Sequence, residues 1–206
     1  MKLVPITLER GYYSFTGPLV RWLVNAGIRP NTITTLGTLL VVGSAVLFGF
    51  GEIRLGGALL LLSGALDTLD GAVARSGNAA TRFGAFYDST LDRVSDGATF
   101  IGIAAYLLHA PDVAYRNLAI ILCMVATLAS LVVSYARARA EGLGIDCKVG
   151  IAQRAERIIG LGGASLLVGA GPRALVLEGV VAVLAVASII TVVQRFHFVY
   201  KATKGG

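Results

Sequence analysis

The sequence predicts an all-α integral membrane protein, with six transmembrane helices preceded by an N-terminal amphipathic interfacial helix. Three observations predict it. The 206 residues are 55% hydrophobic and only 15% charged, with a mean hydropathy of +0.75, whereas soluble domains carry about a quarter charged residues. Apolar stretches recur along the chain with short connections between them, each long enough to cross about 30 Å of hydrocarbon as a helix. An open sheet would leave backbone groups unpaired in lipid, so these stretches are read as helices.

The elements follow in order. In residues 1–30, Leu8, Tyr12, Phe15, Leu19, Trp22 and Leu23 recur at helical spacing with Glu9, Arg10 and Arg21 between them. That pattern suits a helix lying in the membrane interface or a leader packed on a partner domain. Gly17-Pro18 is expected to interrupt it. Residues 31–206 are expected to form one six-helix transmembrane domain, with spans at 32–51, 54–74, 84–109, 116–139, 151–171 and 174–197. No cleavable signal peptide is expected, because charged residues and Pro5 break up the first 30 positions.

Charge gives the orientation. With the N-terminus inside, the inner segments hold 15 of the 18 basic residues, leaving Arg54, Arg116 and Arg173 outside. This bias predicts a protein of the cytoplasmic membrane with both termini cytoplasmic. The net charge of +6 collects at helix ends, where it suits anionic lipid headgroups and phosphorylated substrates. Basic and aromatic residues are not interleaved, so no nucleic-acid partner is expected. Cys123 and Cys147 lack a CxxC partner or nearby histidine, which argues for a core thiol and a free loop thiol rather than zinc or a disulfide.

The chemistry is concentrated where the second span ends and the third begins. Asp67 and Asp70 are three residues apart, and Asp88 and Asp92 four apart, so each pair shares one helical face. The short turn between them predicts two antiparallel neighbouring helices. Asp67 lies eight residues before Arg75, about 12 Å of helix from the inner end. An unpaired carboxylate near the bilayer centre costs roughly 2.5–3.5 kcal/mol. Four that converge must therefore take up protons, pair with cations or bind metal. An all-oxygen donor set favours Mg²⁺ or Mn²⁺ over zinc. Neutralisation by Arg75, Arg82 and Arg93 is the bland alternative, and a cation- or proton-coupled transporter is the functional rival. Neither explains the small residues Gly71, Ala74 and Gly84, which let a backbone or headgroup come close.

From Asp67 to Asp92 the chain reads D-x2-D-G-x2-A-R-x8-G-x3-D-x3-D, eight fixed positions in 26 residues. This resembles the signature of the CDP-alcohol phosphotransferase family of phospholipid-synthesising membrane enzymes. The resemblance implies that Asp67, Asp70, Asp88 and Asp92 hold metal, two Mg²⁺ or Mn²⁺ ions in all. Asp92 would also be the general base that deprotonates the acceptor alcohol. Gly71, Ala74, Arg75 and Gly84 would frame the CDP pocket of CDP-diacylglycerol, with Thr81 and Arg82 as further nucleotide contacts. A homodimer among membrane lipids is implied as well.

Other segments bear on the acceptor. The runs Asp92-Arg93-Val94-Ser95-Asp96, Ser134-Tyr135-Ala136-Arg137 and Gln153-Arg154-Ala155-Glu156-Arg157, with Gln194-Arg195, look like bacterial phosphatidylinositol phosphate synthases and their archaeal inositol-lipid relatives. That similarity implies an inositol phosphate acceptor, its phosphate held by Ser134, Arg137, Arg154 and Arg195. Arg137 replaces the lysine of the subfamily pattern, keeping the charge but presenting a planar fork. The alternative within the class is glycerol-3-phosphate, giving phosphatidylglycerophosphate. Asp96 is expected to pair with a neighbouring arginine, and Arg157 and Arg139 to be structural or topological charges.

Overall fold

The computed structural model describes residues 6–77 and 80–204, with side chains from Thr16 onward. Among these residues the chain is entirely helical. The helices are α1 (Ile6–Asn25), α2 (Pro30–Gly49), α3 (Ile53–Ser76), α4 (Arg82–His109), α5 (Arg116–Glu141), α6 (Arg154–Leu167) and α7 (Leu175–Thr203), with a single 3₁₀ turn at Pro172–Ala174. The side chains of Leu8, Glu9, Arg10, Tyr12 and Phe15, which carry much of the expected amphipathic pattern, lie outside the described residues.

Among the described residues, four stretches are long and apolar enough to cross a membrane: α2, α3, α5 and Pro172–Thr203. The chain is thus a multi-pass helical membrane protein. The other two expected spans depart from that criterion for different reasons. α4 is 28 residues long but carries the acidic and basic residues of the site. α6 has 14 residues, about 21 Å at 1.5 Å per residue, rather than filling 151–171. Gln153 is extended before it, and Gly169 (φ 77°) and Gly171 (φ 75°) turn the chain after it.

Two further expectations are revised. α1 runs through Gly17-Pro18 without a break, even though proline removes one helical hydrogen bond. Val20 of α1 packs into a cluster with Ile33, Leu69, Ala72 and Val73, so its second half is clamped onto α3. Trp22 stays exposed. Nor do α3 and α4 pack along one another as the short turn suggested; α2 packs against both. Small residues permit that arrangement. Gly102 of α4 lies on the backbone of Ala45, where a side chain would collide with the carbonyl. On the other side of α3, a Cβ at Gly57 would stand 2.7 Å from the Leu166 nitrogen of α6. At the site ends of α3 and α4, Asp67, Asp88 and Asp92 line a shared cavity.

α5 packs against α4 and α7, and α6 joins α3 to α7. The main core is formed by Val41, Phe48, Ile103, Leu107, Cys123, Leu177 and Val181. Cys147, expected as a free loop thiol, is fully buried, although neither cysteine is bonded to the other. At the far end, Arg116 caps α4 by donating to the carbonyls of Leu108 and Ala110.

Candidate active site

Asp67, Asp70 and Asp88 each offer a carboxylate oxygen within 4.8 Å of the others. Helical spacing puts Asp67 and Asp70 on one face of α3, within reach of Asp88 on α4. Asp70 is 7% exposed, and one of its oxygens accepts from Thr34 Oγ1 of α2 at 2.7 Å. Oδ1 of Asp88 is buried with no protein partner. A buried carboxylate oxygen left unpaired among like charges is costly, and a hard divalent cation satisfies it. The donor set therefore fits the metal that the sequence implied.

Asp92 stands beside this trio rather than in it. Its Oδ1 pairs with Arg154 Nη1 at 2.7 Å and its Oδ2 with Arg93 at 3.3 Å. The same Arg154 nitrogen also donates to Asp67. One guanidinium, from the first residue of α6, thus bridges an aspartate of α3 and an aspartate of α4. Arg75 and Arg82 do not neutralise the cluster: both are exposed.

Among the described residues, two sizeable cavities flank the aspartates. The first, about 150 Å³, is lined by Asp70, Gly71, Ala74, Ala80, Thr81, Gly84, Ala85 and Asp88 together with Pro30, Asn31 and Thr34. Four of the six residues expected around the nucleotide are in this wall; Arg75 and Arg82 are not. Thr81 is the N-cap of α4, its Oγ1 accepting from the Gly84 N–H at 2.9 Å. Gly84 matters for room, since a Cβ there would lie 3.0 Å from Thr81 Oγ1 and 3.2 Å from Asn31 Oδ1. Asn31 and Thr34 are outside the signature; the polar run Asn31-Thr32-Ile33-Thr34-Thr35 at the head of an apolar span was the available signal.

The second cavity, about 480 Å³, opens on the other side and is lined by Asp67, Asp88, Ser89, Asp92, Arg93, Ser134, Arg137, Gln153, Arg154, Arg157 and Arg195, among others. All four residues expected to meet the acceptor phosphate are present. Arg195 is 3% exposed and is fixed by bonds from Nε to the Val149 carbonyl at 2.9 Å and from Nη1 to the Val133 carbonyl. Arg137 pairs with Glu141 at 2.8 Å. Asp96 pairs with Arg157 at 2.5 Å in the interior, as expected of both. Arg157 nevertheless lines the cavity. Asp88 borders both spaces.

Fold and site together define a helical membrane protein with a carboxylate cluster set between a narrow pocket without basic residues and a broad one rich in arginine. The chain belongs to the CDP-alcohol phosphatidyltransferase family, whose profile matches residues 27–198, and is a transferase rather than a transporter. It is 40% identical over 190 residues to the phosphatidylinositol phosphate synthase of Mycobacteroides abscessus, covering 91% of this chain and 84% of the relative. It is also 41% identical over 172 residues to the archaetidylinositol phosphate synthase of Methanothermobacter thermautotrophicus, covering 84% and 83%. Among solved structures, Mycobacterium tuberculosis phosphatidylinositol phosphate synthase with CDP-DAG bound superposes with a TM-score of 0.79 at 37% identity, covering 90% of this chain and 93% of the other. The same enzyme in complex with manganese and citrate gives 0.78, also at 37% identity, with coverages of 90% and 88%.

Proposed function

We propose that this protein transfers the phosphatidyl group from CDP-diacylglycerol to inositol phosphate and releases CMP. One observation carries the reading: Asp88 lines both cavities, so a donor in one and an acceptor in the other would meet at the carboxylate cluster. The hydroxyl oxygen of the acceptor attacks the phosphorus bearing the diacylglycerol, and the bond from that phosphorus to the CMP oxygen breaks. Asp92 takes the hydroxyl proton, oriented by Arg154 and Arg93.

Asp67, Asp70 and Asp88, with Asp92 beside them, would hold Mg²⁺ or Mn²⁺, two ions in this reading. When bound, the metal supplies charge neutralisation for the departing phosphate. Gly71, Ala74, Thr81 and Gly84 form the close walls for the nucleotide, with Arg75 and Arg82 at the rim. Ser134, Arg137, Arg154 and Arg195 receive the acceptor phosphate, the task for which forked guanidinium donors are suited.

α2 to α7 make six spans, with α6 short and α4 carrying the site. Positive-inside charge favours cytoplasmic termini and a cytoplasmic mouth for both cavities in the cell membrane. Residues 1–30 form the interfacial segment and 31–206 the catalytic domain, and family resemblance favours a homodimer.

Purified protein given labelled CDP-diacylglycerol, divalent metal and either inositol phosphate or glycerol-3-phosphate tests this. Lipid product from inositol phosphate with one CMP per turnover is expected; product from glycerol-3-phosphate alone overturns the acceptor.

A further inference from the structure

Between α5 and α6 the chain passes through residues 142–153 without regular helix. It reaches the basic cavity at Gln153 and delivers Arg154 to it. Side chains of other elements hold this connection in place. Thr191 of α7 is fully buried. Its Oγ1 accepts from the backbone N–H groups of Ile151 at 3.2 Å and Ala152 at 2.9 Å, and donates to the Ala187 carbonyl at 2.9 Å. One turn on, Arg195 grips the Val149 carbonyl. From the opposite side, Arg157 Nη1 donates to the Ala152 carbonyl at 3.0 Å. Gly150, with φ +139°, lies so close to the Thr191 methyl that a Cβ there would collide.

Two backbone donors converging on one buried hydroxyl leave little freedom, because each must be paired somewhere. Thr191 itself does not line the cavity, whereas Arg154, Arg157 and Arg195 do. We propose that Thr191 is a positioning residue for the phosphorylated acceptor: by gathering the 151–152 backbone onto α7, it sets where the guanidinium groups of Arg154 and Arg195 stand in the basic cavity. The inference rests on that cavity taking the acceptor phosphate. It places no demand on the nucleotide pocket, which is built from α2, α3 and α4.

Steady-state kinetics of Thr191→Val and Thr191→Ser test it, with inositol phosphate and CDP-diacylglycerol varied in turn. Valine keeps the shape but strands the buried Ala152 N–H and the partly buried Ile151 N–H. An acceptor KM raised about tenfold is expected, with the CDP-diacylglycerol KM within about twofold of wild type and serine restoring the acceptor KM. If Thr191→Val does not fold, Thr191→Cys, a weak acceptor, carries the same test. An unchanged acceptor KM, an equal rise in both constants, or a serine variant as impaired as valine overturns the proposal. Wild-type protein that turns over no phosphorylated alcohol overturns the underlying reading as well, whereas wild-type turnover with a flat acceptor KM in the variants overturns this inference alone.

Discussion

The two cavities flanking the aspartates are built on different principles. The nucleotide-side pocket draws on the head of α2 and one continuous stretch of chain, and most of its wall is glycine, alanine and proline. Its small residues keep side chains out of the way. The broader cavity is assembled from five helices, α3 to α7, and carries the guanidinium groups of Arg93, Arg137, Arg154, Arg157 and Arg195. Its arginines are tied across 46 residues at Arg195–Val149 and 87 at Arg154–Asp67. Its charges are held in place by contacts distant in sequence. In the proposed reaction the donor would therefore meet a compact motif, and the acceptor a site set by the tertiary fold.

Substitutions can break or sharpen that contrast. The largest effect is expected where the two sides share chemistry: Asp92→Asn should lower kcat by about 10³-fold with CDP-diacylglycerol still bound, as measured by CMP release and by lipid binding. Asp96→Ala should cost about 3 kcal/mol of stability by leaving Arg157 buried and unpaired, seen as a lower unfolding temperature. Arg154→Ala should raise the acceptor KM by about 10- to 100-fold, the worth of a lost charged hydrogen bond, and lower kcat as well, because Arg154 also holds Asp92. Gly84→Ala should do the reverse, raising the CDP-diacylglycerol KM by about tenfold through crowding against Thr81 and Asn31 and leaving the acceptor KM alone. If Gly84→Ala and Arg154→Ala moved the same constant, the division of labour would be wrong. Smallest is Glu141→Gln: freeing the half-exposed Arg137 should shift the acceptor KM by less than about threefold.

The same contrast explains what was legible in the sequence. Asp67, Asp70 and Asp88 are close because helical spacing puts each pair on one face, and spacing can be read from one strand of text. Gly71, Ala74 and Gly84 follow for the same reason. The partnership of Arg154 with Asp67 and Asp92 could not be read, since it depends on a short α6 that begins at the cavity mouth. The brevity of α6 itself was hidden by an apolar run that continues through glycines with positive φ. The insertion of α2 between α3 and α4 was likewise invisible, because a short turn normally implies neighbours and the glycine contacts that draw α2 in are long-range. Thr34 and Asn31 had a local signal, hydroxyl and amide groups at the head of a span, but no partner in sequence to interpret it.

The central claim is that the α3 and α4 carboxylates bind divalent metal between the two cavities. Titrating metal-free wild-type protein and Asp88→Asn with Mn²⁺, followed by electron paramagnetic resonance, tests it most directly. Saturable binding in the wild type that is lost in Asp88→Asn is predicted. Equal Mn²⁺ binding by both proteins, or no binding by a wild type that still releases CMP in the presence of chelator, would contradict it.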